Sequence, residues 1–377
     1  MQLPHTSLQL RSLVRADGKL ELTLMKLPVP APGPNEVLIR VEAAPVNPSD
    51  LGLLFGAADM STARTFGNPE FPGILAEIPA AAMPSMAGRI GEALEVGYEG
   101  AGTVVATGSS EAARKLDGRK VAAFGGGMYS QYRCVSTQAC LALPDGITSA
   151  EGASAFVNPL TALGMVETLR HEKHTALVHT AAASNLGQML NRVCLEDGIG
   201  LVNIVRRKEQ VDLLRAQRAI HVCDSSSPDF IEELQDAIAA TSATLVFDAI
   251  GGGSLGGQIL ACMEAVLCRA EGQYSRYGSV THKQLYLYGG LDSSQTRFER
   301  NFGMAWGMSG WVLLALLRRI GPERADMLKQ RVVDGLQTTF RSHYSKTVSL
   351  LELLQPGTMA QCNRRGTGEK FLLTPNR

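Results

Sequence analysis

The sequence carries no net charge: 36 Lys and Arg balance 36 Asp and Glu. That balance excludes the broad basic field a nucleic-acid binder needs, and no acidic tail is present. No CxxC pair occurs among the seven cysteines, Cys134, Cys140, Cys194, Cys223, Cys262, Cys268 and Cys362. An odd, scattered set excludes both a disulfide framework and a four-cysteine zinc lobe. The N-terminus lacks the basic-then-apolar pattern of a secretory leader. The most apolar stretch near the C-terminus, Trp311 to Leu317, runs at once into Arg318 and Arg319 and is far too short to span a bilayer. The expectation is a cytoplasmic protein with no nucleic-acid and no membrane partner.

What is present is globular material. Hydrophobic residues make up 45% and charged residues 19% of 377 residues, ample for a core and long enough for two domains. The 39 glycines suit many turns and close backbone approaches. The first part is β-rich. Glu36–Glu42 alternates apolar and polar after the Pro/Gly-rich turn Pro28–Pro34, Gly100–Gly108 is framed by glycine, and Lys120–Phe124 stops at Gly125-Gly126-Gly127. Between Phe55 and Glu95 periodicity fails, with Pro69, Pro72, Pro79 and Pro84 interrupting it. So long a structureless span reads either as a lid or binding loop or as a surface insertion.

From Thr175 the texture becomes strand, helix, strand. Strands are predicted at Thr175–Thr180, Leu201–Val205, Ala219–Cys223, Thr244–Asp248 and Gln284–Tyr288. Helices are predicted at Ser184–Cys194, near Glu209–Gln217 and at Phe230–Ala240, the last opened by Asp229. Such alternation implies βαβ units and a parallel sheet, hence an α/β class.

The first strand-to-helix turn, Val178 to Gly187, is built from small residues. Ala183 and Gly187 let backbone approach a pyrophosphate, and Ser184, Asn185 and Leu186 open the helix whose N-terminus favours an anion. The strict GxGxxG pattern is absent, and an ordinary capped turn is the alternative. Beyond the second strand, where an NAD site places an acid, stand Arg206, Arg207 and Lys208. Arginine forks match a 2′-phosphate, so NADPH is the expected cofactor; a solvated helix start is the alternative. Asp248 to Gly251 and Tyr288-Gly289-Gly290-Leu291 each follow a strand and fit backbone lying beside ribose and nicotinamide; simple strand-terminating turns are the alternative.

These residues resemble the medium-chain dehydrogenase/reductase superfamily, and within it the zinc-free quinone oxidoreductase group. The resemblance runs from Glu36 to Pro375. It rests on Val46-Asn-Pro-Ser-Asp50, Gly97-Tyr-Glu-Gly-Ala-Gly102, Asn158-Pro-Leu-Thr-Ala-Leu-Gly164, the Ala181–Gly187 turn, Phe247-Asp-Ala-Ile-Gly-Gly252 and Gly366-Thr-Gly-Glu-Lys370. It implies a Rossmann doubly wound parallel sheet plus a GroES-like β-barrel domain. The domains would be 1–157 (GroES-like, first part), 158–310 (Rossmann, NADP-binding) and 311–377 (a return to the GroES-like domain).

Zinc-dependent relatives carry Cys and His where this chain has Asn47 and Tyr98, so no metal is expected; amide and phenol are poor Zn²⁺ ligands. By resemblance Asn47 and Thr161 reach the cofactor and Lys370 closes over it, beside Tyr288 and Gly289 at their strand end. Asn47 and Tyr98 are the catalytic candidates, with Tyr98 either a hydrogen-bond donor to the acceptor or simple packing. A quinone or activated enone is the expected small-molecule substrate. Related enoyl thioester reductases carry a Tyr after the Asn-Pro motif where this chain reads Gly56-Ala57-Ala58. Enoyl thioester reduction, or a non-catalytic NADPH-binding role, are the alternatives. In resembling enzymes the Phe298–Trp311 region supplies a strand that pairs across a two-fold axis, so the resemblance implies a homodimer; an intramolecular core strand is the alternative.

Overall fold

The computed structural model describes residues 3–272, 274–364 and 366–377. The chain forms two compact units, Met1–Val157 with Arg331–Arg377, and Asn158–Gln330.

The first unit contains β1 (Thr6–Val14), β2 (Lys19–Pro28), β3 (Glu36–Pro45), β4 (Asp59–Gly67), β5 (Pro72–Glu77), β6 (Ala93–Glu95), β7 (Glu99–Thr107), β8 (Lys120–Phe124), β9 (Tyr132–Ser136) and β10 (Cys140–Ala142). The second contains β11 (Ala176–His179), β12 (Gly200–Val205), β13 (His221–Asp224), β14 (Leu245–Asp248), β15 (Lys283–Leu287) and β16 (Trp306–Gly310). The chain then returns to the first unit through β17 (Lys346–Val348) and β18 (Phe371–Leu373).

In the first unit one sheet runs β4-β5-β2-β1-β6 and another β10-β8-β7-β3-β18-β17, with β9 also on β3. Their alternating inner residues, among them Leu10, Leu22, Val37, Val104 and Leu373, bury a common core. Burying a side chain of this size contributes roughly 1.5–3 kcal/mol.

The 55–95 span corrects the sequence reading. It is not structureless: β4 and β5 pair antiparallel, and β5 extends the sheet through β2. Outward side chains along β4 are mostly polar or small, which hid the period of two. The prolines mark corners. Pro69 lies in the turn that Asn68 closes by accepting from Glu70 N and Phe71 N, and Pro72 starts β5. Met83–Met86, with Pro84 near its start, is a short helix.

In the second unit the sheet order is β13-β12-β11-β14-β15-β16, and all neighbours are parallel. β11 and β14 are buried at every position, which explains their apolar runs Ala176-Leu-Val178 and Leu245-Val-Phe247. β16 pairs within the chain to β15 and forms the sheet edge. Residues 311–330, expected in the return segment, pack within this unit. Trp311 Nε1 donates to Thr168 Oγ1 at 3.0 Å, and Arg324 forks onto Glu167 at 2.7 and 2.9 Å.

The insertion after Cys268 is pinned from below. Glu264, on the Leu255–Glu271 helix, accepts from Lys283 Nζ at 2.6 Å, Ser279 N at 2.7 Å and Ser279 Oγ at 2.6 Å. Glycine is required at 278, because a Cβ there would sit 2.0 Å from Glu264 Oε1. Among the described residues, no helix is long and apolar enough to cross a membrane.

Candidate functional site

The second unit's strand order reverses between β11 and β14. In such sheets the ligand crevice lies at that switch, outside the C-terminal strand ends. The turn after β11 passes through Ala181 at φ +52°, a left-handed conformation that a non-glycine residue adopts at a cost of order 1 kcal/mol. Ser184 then caps the Asn185–Asp197 helix by accepting from Gly187 N at 3.1 Å. A Cβ at Gly187 would meet Ala182 O at 2.2 Å, so glycine lets the helix start sit against the turn. Ser184, Asn185 and Leu186 thus bring the positive end of a 13-residue helix to the crevice.

At the end of the neighbouring β12 the basic triplet divides. Arg206 and Arg207 are exposed, and among the described residues no acidic side chain pairs with either. Lys208 instead begins the Lys208–Ala216 helix and pairs with Asp212 at 3.5 Å. The third strand end is organised by Asp248. Its carboxylate accepts from Thr180 Oγ1 at 2.7 Å and from Ile250 N and Gly251 N at 2.8 and 3.2 Å. Past β15 and β16, Tyr288 and Gly289 join Leu287, Gly310, Trp311 and Val312 around an open depression. A Cβ at Gly289 would strike Ala249 O at 2.7 Å, so the two loops touch there through backbone. Thr161 is buried on the Val157–His171 helix of the same unit. Helix N-terminus, free guanidinium forks and glycine-lined strand ends form a donor set that fits a phosphorylated dinucleotide. Arg206 and Arg207 would hold a 2′-phosphate, and the Ser184–Leu186 turn a pyrophosphate.

The first unit gathers a different group. Asn47 precedes the Pro48–Phe55 helix, and its N–H donates to Asp50 Oδ2 at 2.8 Å in a capping box. Asp50 Oδ1 accepts from Tyr98 N at 2.8 Å. Asn47 Nδ2 donates to Glu99 Oε1 at 2.8 Å, and Glu99 Oε2 accepts from Phe156 N and Val157 N, both at 2.9 Å. Lys370 Nζ donates to Ser154 Oγ at 2.8 Å and lies 5.6 Å from the Tyr344 ring centre. Burial pushes the Asp50 carboxyl up to about 7, against two backbone donors, and also raises Glu99. Burial pushes the Lys370 ammonium down to about 8, partly offset by Glu99 and Asp50.

Asn47 and Lys370 are therefore committed inside this cluster. Tyr98 is half-buried, and among the described residues its hydroxyl has no hydrogen bond. The sequence reading quoted Asp50 and Glu99 within motifs without giving them a role. The Asn-x-x-Asp spacing, a capping box, was the available signal. His179, fully buried at the end of β11, gave none.

Comparison with known proteins joins these parts. Residues 33–145 match the alcohol dehydrogenase GroES-like domain family. A Mesorhizobium loti protein named as an NADPH:quinone reductase superposes with a TM-score of 0.73 at 24% identity, over 100% of both chains. The synaptic vesicle membrane protein VAT-1 homolog of Rattus norvegicus is 26% identical over 225 residues, 59% of this chain and 48% of that protein. The mitochondrial enoyl-acyl-carrier-protein reductase of Xenopus tropicalis is 27% identical over 218 residues, 56% of this chain and 54% of its own. The chain spans about half the length of these curated relatives. The likeness shows the fold, a GroES-like domain with a doubly wound parallel sheet.

Proposed function

We propose that the protein is an NADPH-dependent reductase that delivers hydride to a quinone or activated enone without a catalytic metal. The observation that carries this reading is the pair of exposed guanidiniums, Arg206 and Arg207, which meet no acidic side chain among the described residues, at the end of the strand next to the Ser184–Leu186 turn. Arginine's planar fork suits a phosphate monoester, and no acid stands there to accept from a free ribose hydroxyl. The relative named as an NADPH:quinone reductase supports the same reading. When bound, a reduced nicotinamide supplies the hydride. The chain's own residues bind and orient the coenzyme, and a quinone is electrophilic enough to need little further acid help.

Arg206→Ala with Arg207→Ala tests the cofactor. Charge-assisted bonds of this kind are worth about 1.5–3 kcal/mol each, so the NADPH Kd should rise by about one to two decades per arginine. NADH affinity should hold; equal losses for both coenzymes sink the reading.

Metal-free chemistry is supported by Asn47 and Tyr98 standing where zinc relatives carry ligands. Tyr98, whose hydroxyl has no bond among the described residues, is the first unit's donor for an acceptor carbonyl. In steady-state assays with chelator present, Tyr98→Phe should lower kcat about tenfold with NADPH affinity unchanged. Unchanged turnover would make Tyr98 packing. The likeness to the Xenopus tropicalis reductase favours a second reading, reduction of enoyl thioesters. Adding an enoyl-CoA to the quinone and enone panel separates the two by kcat/KM.

A further inference from the structure

One chain of polar side chains in the second unit takes no part in the reading above. Gln188 and Arg192 stand one turn apart on the Asn185–Asp197 helix, and Gln217 follows the Lys208–Ala216 helix. Gln188 Nε2 donates to Ala183 O at 2.9 Å. Gln188 Oε1 accepts from Gln217 Nε2 at 2.6 Å, and Gln217 Oε1 accepts from Arg192 Nη1 at 3.4 Å. Gln217 is itself fixed by its backbone. Its N–H donates to Leu214 O at 3.0 Å, and its carbonyl accepts from Asn191 Nδ2 at 3.2 Å.

The amide orientations follow from the two ends. Ala183 O can only accept, so Gln188 turns Nε2 toward it and leaves Oε1 facing Gln217. Gln217 must then present Nε2 to Gln188 and Oε1 to Arg192, whose guanidinium can only donate. Both ends demand the same direction, and bonds aligned in this way polarise one another. The chain ends on the turn that carries Ala181 at φ +52°. A residue in that region persists only where its surroundings hold it. Ala182 N donates to Ile204 O at 3.1 Å on β12, Ser184 N donates to Ala181 O at 3.0 Å, and Gln188 holds Ala183 O. The peptide joining Ala183 to Ser184 is thus pinned at its oxygen by Gln188 and at its N–H by Ala181 O. Of these three holds only the one from Gln188 is made by a side chain, so a single substitution can remove it.

We propose that Gln188 is a positioning residue: braced by Gln217, it holds the Ala183–Ser184 peptide and so sets the angle at which the first turn of the Asn185–Asp197 helix meets the pyrophosphate of the coenzyme. It acts through the backbone and need not touch a phosphate. A peptide held in its binding orientation before the ligand arrives spares the ligand that ordering cost, which strengthens binding without adding a contact. The inference rests on the coenzyme reading above.

Its test uses the full-length protein, isothermal titration and two probes. NADPH carries the pyrophosphate; adenosine 2′-monophosphate carries the 2′-phosphate without it. Gln188→Met, which keeps the length of the side chain and removes the amide, should weaken NADPH by about three- to tenfold, the yield of one neutral hydrogen bond, and leave the monophosphate unchanged. Gln217→Met leaves the Ala183 bond in place but unbraced. It should weaken NADPH by a smaller factor, and it carries the test should Gln188→Met not fold. The double variant should match Gln188→Met alone, because Gln217 acts only through Gln188. A bond that merely stabilises the fold would lower the urea midpoint and leave NADPH affinity as it is. That result, equal weakening of both probes, or losses that add in the double variant would each overturn the inference. A parent protein that binds neither probe would overturn the coenzyme reading, and the inference with it.

Discussion

In the first unit Asp50, Glu99 and Lys370 are withdrawn from solvent and each is met by a partner from the same unit; in the second, Arg206 and Arg207 stand in solvent at the end of β12 with no acidic partner among the described residues. Both sets carry charge, but only one has been made to fold around it. Desolvating an ion costs several kcal/mol, so such groups persist in a core only when bonded on every side. Glu99 meets this condition through two backbone N–H groups and the Asn47 amide. The exposed arginines incur no such penalty and keep their donors available. Polar groups satisfied within the chain specify conformation; groups left open are the ones to test with ligands.

The contrast breaks most visibly at Glu99. Glu99→Ala strips the acceptor from Phe156 N, Val157 N and Asn47 Nδ2 together and leaves buried Lys370 without its largest opposing charge. Removing one member of a buried charged network costs about 3–5 kcal/mol. Urea unfolding should show that loss, with Glu99→Gln falling between variant and parent. A loss under about 1 kcal/mol would mean that water already satisfies the cluster.

Asp50 sharpens the comparison through pH. Burial raises its carboxyl from 3.8 to about 7, so between those values the folded chain holds a proton that the unfolded chain has released. Stability contributed by this group is therefore present at low pH and is lost as pH rises from about 4 to about 7. Lys370, pushed from 10.5 down to about 8, acts in the opposite sense and returns stability as pH rises from about 8 to 10.5. Unfolding midpoints across pH should trace a shallow trough near neutrality. Asp50→Asn should flatten its acid side, and an unchanged acid limb would show that the carboxyl is ionised throughout.

How far the sequence revealed these regions follows the same division. β11, β12 and β14 were legible because strands buried on both faces carry mostly apolar residues, and Lys120–Phe124 because glycine stops it. The hairpin of β4 and β5 was not legible. Its outward side chains show no alternation, and its prolines look like breakers until the pairing partner β2 is known. β1 and β2 went unassigned although β2 alternates in burial from Lys19 to Leu24 and β1 does so on either side of the buried pair Gln9–Leu10. The exposed place of Arg206 and Arg207 at the end of β12 was legible because position along a βαβ unit predicts where a strand ends. Lys370 was placed by resemblance over the cofactor, and the bond of its ammonium to Ser154 joins residues 216 apart, which sequence does not reveal. The Gln188–Gln217 bond has no sequence signal for the same reason, since it joins residues 29 apart.

The smallest expected effect is also the most discriminating, because Lys208 belongs to the same basic triplet as the two arginines. It differs from them in two ways. It is the first residue of the Lys208–Ala216 helix, where a cation opposes the helix dipole, and its ammonium leans toward Asp212 one turn on, at 3.5 Å. Exposed i,i+4 pairs of this kind hold little energy and are screened by salt. Lys208→Ala should therefore leave thermal unfolding unchanged and alter the NADPH Kd by no more than about twofold, against about a decade for Arg207→Ala. Isothermal titration at two ionic strengths makes the comparison fair, since any general field of the triplet fades with salt while a direct guanidinium–phosphate bond persists. If Lys208→Ala matched Arg207→Ala at low salt and both effects vanished at high salt, the triplet would be acting as one diffuse positive patch. The distinction drawn here between a free fork and an engaged ammonium would then fail.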